Sequence, residues 1–123
     1  MKRVEPLIRT LRREGIEDER VLDAIRQVNR AEFGPPELRD SAWANRPLPI
    51  GSGQTISQPY IVALMSELAD VHEETKVLEV GTGCGYQTAV LVQLGARVYT
   101  VERIPALARR AERTLGRLGL SPA

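Results

Sequence analysis

The sequence has few of the residues on which disulfide bonds and acid–base catalysis depend. Its 123 residues include one cysteine, Cys84, and one histidine, His72. A single cysteine excludes an internal disulfide and fits a reducing compartment. The sequence has no apolar run long enough to cross a membrane and no signal-peptide core. We therefore expect a cytoplasmic protein without a membrane span.

The chain also lacks an excess of charge of either sign. Seventeen basic residues stand against 16 acidic residues, a formal net charge of +1. Because no long-range field draws the chain to nucleic acid or to an anionic membrane, we expect neither as a partner. The apolar share of 42% and the charged share of 27% are typical of a globular protein, and the length favours one domain.

The most informative stretch is residues 76–86, where apolar residues run into regularly spaced glycines. Residues 77–80 are mostly apolar and predict a buried strand. Gly81, Gly83 and Gly85 permit the positive φ angles of a sharp turn and leave the backbone open to a ligand. A helix is expected to follow, with its N-terminus toward that ligand. The pattern therefore predicts a turn that holds a nucleotide.

Two acidic residues bear on which nucleotide the turn would hold. Glu79 would repel the pyrophosphate of a dinucleotide, whereas it suits the ammonium and sulfonium groups of S-adenosylmethionine. Tyr86 also replaces the third glycine of the dinucleotide fingerprint. Glu102 follows a second predicted strand and is placed to accept hydrogen bonds from ribose hydroxyls. Both cofactor classes share that second acid, and a glycine turn that binds nothing is the alternative.

Hydrophobic periodicity predicts the other elements. Strands at 77–80 and 97–101 alternate with helices at 86–94 and 105–118, which is half of a doubly wound sheet. Because both strands are apolar runs without clean alternation, we expect both of their faces to be covered. Residues 33–57 are rich in proline, glycine and polar side chains, and predict a functional loop.

The amino-terminal part of the chain is predicted to be helical. Two short amphipathic helices are expected before residue 30, with Gly15 ending the first. Pro59 suits the first turn of a third helix. The apolar face of that third helix is predicted to consist of Ile61, Val62, Met65 and Leu68.

Four segments resemble the protein-L-isoaspartate O-methyltransferase family. They are residues 53–59 (Gly-Gln-Thr-Ile-Ser-Gln-Pro), 77–83, 85–89 and 98–103. The first segment is far more specific than the glycine turn, and the resemblance covers nearly the whole chain. Cys84 stands where the family usually has serine, and Asn45 stands where aspartate is common, so the contacts of the Asn45 loop are in question.

The resemblance implies an α/β, Rossmann-like S-adenosylmethionine-dependent methyltransferase fold, with N-terminal helices plus the first β-α-β-α half. Within one domain overall, residues 1–58 would supply the N-terminal helices and a substrate-side loop. Residues 59–123 would form the first half of the cofactor-binding domain. Because independent stability generally needs three or more strands, we expect further strands after residue 123 and hence a truncated chain.

The resemblance also implies a reaction, the methylation of the free carboxylate of L-isoaspartyl residues in damaged proteins. Such a carboxylate is already ionised at pH 7, so alignment matters more than a catalytic base, and we expect His72 to face solvent. Ser57 matches the family's active-site serine and would orient the substrate carboxylate. No metal is expected, and the residues expected to contact S-adenosylmethionine are Thr55, Ile56, Glu79, Gly81, Thr82, Gly83, Gly85 and Glu102.

Several residues have a second interpretation. Ser57 could cap the third helix instead of serving the site. Cys84 lies beside a helix N-terminus, which favours a reactive thiolate, but no histidine is near it in sequence, so a small turn residue is favoured. Tyr86 and Trp43 could stack on an adenine or simply pack in the core.

Two hypotheses of different classes follow for the chain as a whole. The first is the repair methyltransferase, which the segment at residues 53–59 favours over small-molecule, RNA or DNA methyltransferases that share only the turn. The second is a non-catalytic nucleoside-binding module that pairs its open sheet edge with a partner chain.

Overall fold

Helices begin the chain in a computed structural model that describes residues 2–123. A short 3-10 helix, Lys2–Val4, leads into α1 (Glu5–Arg13), and α2 (Glu19–Gln27) follows. Gly15 ends the first helical segment with φ +108°, as predicted. The buried residues of α1 and α2 recur at helical spacing and pack into the core: Leu7, Ile8, Leu11, Val21, Leu22, Ala24 and Ile25.

Residues 33–57, which were predicted to form a loop, contain regular secondary structure instead, so the prediction of a loop was wrong. Two 3-10 helices, Arg30–Phe33 and Pro36–Ser41, are followed by an antiparallel hairpin of β1 (Leu48–Gly51) and β2 (Gln54–Ile56). The hairpin forms because alternate apolar residues face the core, and glycines occupy positive φ angles at its turn. The residues that it buries are Leu48, Ile50 and Ile56.

Helix α3 (Pro59–Ala69) begins at Pro59 as predicted, but it buries a different face. Met65 and Leu68 are 58% and 74% exposed, so the predicted apolar face was wrong. The helix is apolar on most sides, and the side that packs is the one where small residues allow close approach, Ala63 and Ser66. Gln87 donates a 2.9 Å hydrogen bond to Ser66 Oγ, which joins α3 to the next helix.

The carboxy-terminal part is a parallel β-α-β-α unit, as predicted. Its elements are β3 (Lys76–Val80), α4 (Tyr86–Gln93), β4 (Arg97–Val101) and α5 (Pro105–Arg117). The strands pair in parallel with Val80 opposite Val101. The two strands therefore end at the same edge of the sheet. None of the helices within residues 2–123 combines the length and apolar character needed to span a membrane.

The two faces of this strand pair differ, because within residues 2–123 only one of them is covered. On one face α4 packs against β4, and Val98 is fully buried. On the other face the apolar side chains remain in contact with solvent: Leu78, Val80, Tyr99 and Val101 are 69%, 80%, 42% and 52% exposed. Apolar strands indicate that both faces can be covered, but they do not say which elements do so. Within residues 2–123, no element covers this second face.

The difference between the faces predicts the outcome of a matched pair of substitutions. Val80→Thr is expected to change the free energy of unfolding by less than about 0.5 kcal/mol, because the side chain is exposed. Val98→Thr makes the same chemical change on the buried face and is expected to cost about 1–3 kcal/mol, because it buries a hydroxyl. Urea unfolding of both variants measures the two values. Equal losses would show that another chain covers the exposed face in solution.

Candidate functional site

The parallel pairing of β3 with β4 places the predicted glycine turn at the carboxyl edge of the sheet. The turn is held there by two backbone hydrogen bonds to Val101 O, from Gly81 N at 2.8 Å and from Thr82 N at 3.1 Å. Gly81 and Gly83 adopt φ angles of +94° and +58°. A Cβ added at either glycine would meet no atom within 4 Å. The turn therefore leaves open space on its outer side, into which a ligand could approach the backbone.

Gly85 lies elsewhere, on the inner side of the turn. A Cβ added there would approach Leu115 Cδ1 to 3.2 Å and Ala111 Cβ to 3.4 Å, both on α5. Gly85 also has φ +97° and is the N-cap of α4. Its lack of a side chain thus lets α5 pack against the start of α4, and the structure does not place it beside the open space at Gly81 and Gly83.

Glu102 braces the glycine turn. Its Oε1 accepts a 2.8 Å hydrogen bond from Gly83 N, and its Oε2 accepts a 3.0 Å bond from Ile104 N. These backbone donors hold the pKa of the Glu102 carboxyl below its ordinary value. The carboxylate is therefore ionised at neutral pH and fixed in position, with lone pairs left over for a further donor. Contact between Glu102 and a ribose stays a prediction.

Glu79 forms the centre of a chain of hydroxyl groups. Its Oε1 accepts hydrogen bonds from Thr88 Oγ1 and, at 2.8 Å, from Thr100 Oγ1. Because Thr100 gives its one hydroxyl hydrogen to Glu79, Thr82 donates to Thr100 across 2.5 Å. Burial raises the pKa of the Glu79 carboxyl, and the two hydroxyl donors oppose that rise. The second oxygen, Oε2, has no hydrogen-bond partner within residues 2–123 and remains free for a ligand.

One small cavity brings the two predicted halves of the site together. Its volume is about 70 Å³, and it lies between the hairpin strand β2 and the glycine turn. Seven of the residues predicted for the site line it: Thr55, Ile56, Ser57, Glu79, Gly81, Thr82 and Gly83. A wider cleft of about 410 Å³ continues from Gly81 past Glu102 along the carboxyl edge, with Gln54 on its other side. Gly81 lines both spaces, so a ligand that spans them would pass it.

Ser57 lines the cavity with an exposed side chain, and its hydroxyl makes no hydrogen bond within residues 2–123. The alternative that Ser57 caps α3 was wrong. The cap comes from Asn45, whose Oδ1 accepts a 3.0 Å hydrogen bond from Tyr60 N, while Gln58 Nε2 donates to Asn45 O at 3.1 Å. Asn45 therefore joins its loop to the start of α3 through a neutral side chain, where aspartate would bring a charge.

Arg30 is a buried residue beside the cavity, and the sequence analysis did not identify it. It is 1% exposed, and its guanidinium donates to the carbonyls of two separate loops. Nη1 contacts Ala42 O at 2.7 Å, and Nη2 contacts Arg46 O at 2.9 Å and Ser57 O at 3.0 Å. A single arginine in a polar stretch has no periodicity or motif that would predict burial.

The alternative roles for the aromatic and sulfur side chains near the turn are not favoured. Burial raises the pKa of the Cys84 thiol to about 11, so it is protonated at neutral pH and is no nucleophile. Tyr86 is 1% exposed and meets Phe33 edge to face, with ring centroids 5.7 Å apart. Trp43 is partly buried against the core. His72 faces solvent, as predicted, with Nε2 3.2 Å from Asp70.

Comparison with known proteins tests the resemblance directly. A family model described as protein-L-isoaspartate(D-aspartate) O-methyltransferase matches residues 2–122. The chain belongs to this family. The protein-L-isoaspartate O-methyltransferases of Myxococcus xanthus and Gloeobacter violaceus are 57% and 58% identical to it over 109 residues. That alignment covers 89% of this chain and 51% and 53% of the two relatives, so the chain spans about half the length of the curated relatives it matches.

Solved structures of the family share the fold. A protein-L-isoaspartate O-methyltransferase structure superposes with a TM-score of 0.83 at 28% identity, covering 95% of this chain and 39% of that one. A putative protein-L-isoaspartate O-methyltransferase from Plasmodium falciparum superposes with a TM-score of 0.76 at 26% identity, covering 93% of this chain and 55% of the other. That structure is a complex with S-adenosyl-L-homocysteine. The predicted methyltransferase fold is therefore confirmed for the part that this chain spans.

The two acidic residues predict opposite effects of pH on stability. The folded pKa of Glu79 lies above its ordinary value of 4.5, so the folded chain holds that proton more tightly and stability falls as pH rises above 4.5. The folded pKa of Glu102 lies below 4.5, so its contribution is present above that pH and is lost as pH falls further.

The measurement is urea unfolding across this pH range for the wild type, Glu79→Gln and Glu102→Gln. Glu79→Gln is expected to reduce the decline in the free energy of unfolding as pH rises above 4.5. Glu102→Gln is expected to reduce the decline in the free energy of unfolding as pH falls below 4.5. If both variants changed the curve in the same direction, the assigned hydrogen-bond environments would be incorrect.

Proposed function

We propose that the chain carries the cofactor-binding turn and the Ser57 loop of an enzyme that methylates the free carboxylate of L-isoaspartyl residues in damaged proteins, with S-adenosylmethionine as the methyl donor. The observation that carries the proposal is the 70 Å³ cavity, because it is lined by Ser57 on one side and by Glu79 and the glycine turn on the other. The family and the names of the relatives support the same reaction.

The residues at the turn fit S-adenosylmethionine. Glu79 offers a free carboxylate oxygen to the ammonium group, and its charge suits a cationic ligand. Gly81 and Gly83 leave room for the ligand to approach the backbone. The Glu102 carboxylate, fixed by two backbone donors, would accept hydrogen bonds from the ribose hydroxyls. When bound, the cofactor supplies a methyl group on a positively charged sulfur.

The substrate side needs a donor that orients a carboxylate and needs no base. An isoaspartyl carboxylate is ionised at neutral pH, so the requirement is alignment with the methyl group. Ser57 has a hydroxyl with no other hydrogen bond and is proposed to donate it to that carboxylate. Residues 1–58 would thus contribute the substrate side, with Thr55 and Ile56 reaching the cofactor, and residues 59–123 would contribute the turn.

The state of the cysteine bears on the cellular compartment of the protein. Cys84 is free and buried. Among residues 2–123 no other thiol is present to pair with it, which is consistent with a reducing compartment, and we propose a cytoplasmic location on that basis.

A second candidate function is favoured by one observation, the exposed apolar face of the strand pair. In this alternative the chain is a non-catalytic nucleoside-binding module, and Leu78, Val80, Tyr99 and Val101 meet a partner chain. A third alternative is another methyltransferase activity, in which the same turn binds the cofactor and a different molecule accepts the methyl group.

The test is methyl transfer by the purified chain from labelled S-adenosylmethionine to an isoaspartyl peptide and to its normal aspartyl twin. Selective transfer to the isoaspartyl peptide is the expected result. Cofactor binding without transfer to either peptide would favour the binding module, and transfer to both peptides alike would overturn the proposed substrate.

The proposed division of roles predicts different losses in two variants. Ser57→Ala is expected to lower transfer by about 10- to 100-fold, the value of a hydrogen bond to a charged group, with little change in cofactor affinity. Glu102→Ala is expected to weaken cofactor binding, because the ribose acceptor and the brace on Gly83 are both removed. Calorimetric titration and the transfer assay measure these two quantities separately.

Ser52→Ala is the matched control for Ser57→Ala, since Ser52 is an exposed serine at the turn of the same hairpin and outside the cavity. It should behave as the wild type. An equal loss of cofactor affinity in Ser57→Ala and Glu102→Ala would contradict the division of roles.

A further inference from the structure

Arg30 is the largest fully buried side chain of the described residues, and it has no acidic partner. Its guanidinium instead donates to backbone carbonyls. Three of them, Ala42, Ala44 and Arg46, belong to the loop before β1, and the fourth is that of Ser57. One side chain thus ties the Ser57 segment to the loop that also caps α3 through Asn45.

The same guanidinium reaches the cofactor side of the site. Its central carbon lies 5.8 Å from the centre of the Tyr86 ring, and Tyr86 is the first residue of α4, directly after the glycine turn. The Arg30 Nε and the Tyr86 hydroxyl are both buried without a hydrogen-bond partner in the described residues. Arg30 is therefore in contact with both segments that line the cavity.

Burial of a cation without a carboxylate is unfavourable unless its donors are satisfied, and burial lowers the pKa of Arg30 accordingly. Replacing such a charge with an apolar side chain often does not reduce stability. Its presence here therefore suggests a role in fixing geometry, because the planar fork directs donors to carbonyls on both loops at once.

We propose that Arg30 is a positioning residue that holds Ser57 at the cavity through the Ser57 carbonyl and keeps it in register with the glycine turn through Tyr86. The expected effect of Arg30 on methyl transfer rests on the proposed function. Its effect on the Ser57 segment does not depend on that function, and the two can be measured separately.

The test uses the 123-residue chain and the variants Arg30→Ala and Arg30→Lys. Lysine keeps the charge but lacks the planar fork, so it cannot serve carbonyls of both loops in the same way. Arg39→Ala is the control, since Arg39 is an exposed arginine whose side chain donates no hydrogen bond to any residue of the described range 2–123. Guanidinium chloride at concentrations well below those that unfold the wild type serves as a probe that can refill the space left in Arg30→Ala.

Two readouts are made on each variant. Hydrogen exchange of the amides at residues 57–60 reports the loop, with the β3 and β4 amides as the internal reference. Transfer to the isoaspartyl peptide reports the site, and an alignment error is expected to lower kcat by about 10²-fold while cofactor affinity stays within twofold.

The expected result is faster exchange confined to residues 42–46 and 57–60 in Arg30→Ala and Arg30→Lys, and partial restoration of both exchange and kcat by guanidinium in Arg30→Ala only. Wild-type exchange and kcat in Arg30→Lys would overturn the proposal. Faster exchange throughout β3 and β4, or no response of a folded Arg30→Ala to guanidinium, would overturn it too. If the wild type shows no transfer, the proposed function fails, and the exchange data still decide the role of Arg30.

Discussion

The parallel pairing of β3 with β4 is the constraint on which the site depends. Because both strands run in the same direction, Glu79 near the end of one and Glu102 just after the other lie at one edge of the sheet. The turn between β3 and α4 begins at that edge and is held by the Val101 carbonyl and the Glu102 carboxylate. An antiparallel arrangement would put the two acids at opposite ends, and no nucleoside could contact both.

The two carboxylates have different environments, which shift their pKa values in opposite directions. Glu102 accepts from backbone N–H groups, which lowers its pKa and keeps it charged. Glu79 is buried among threonine hydroxyls, and its pKa is raised. The hairpin closes the same space from the other side and brings Ser57 to it, with Arg30 and Asn45 holding the connection between hairpin and α3. The cavity and cleft are thus lined by segments, at residues 55–57, 79–83 and 102, that lie at least 19 residues apart in sequence.

Sequence patterns predicted the elements that neighbouring residues determine. They failed where the burial of a side chain depends on which distant segment packs against it. The β-α-β-α unit and the start of α3 at Pro59 followed from apolar runs, glycines and proline. The hairpin was missed because two short strands of three and four residues resemble a loop in composition. The exposed face of α3 was missed because apolar composition does not identify a packing partner. Arg30 could not be predicted, since its partners are carbonyls that only the folded chain brings together.

The most direct test of the account is a calorimetric titration of the chain with S-adenosylmethionine, alongside Gly83→Ala and Gly119→Ala. Both glycines have positive φ and no atom within 4 Å of an added Cβ, but only Gly83 lines the cavity. The account predicts that the wild type and Gly119→Ala bind alike and that Gly83→Ala binds more weakly, by about tenfold or more, because its methyl group occupies space needed by the ligand. Equal affinities in all three, or no binding by the wild type, would contradict a nucleoside site at this turn.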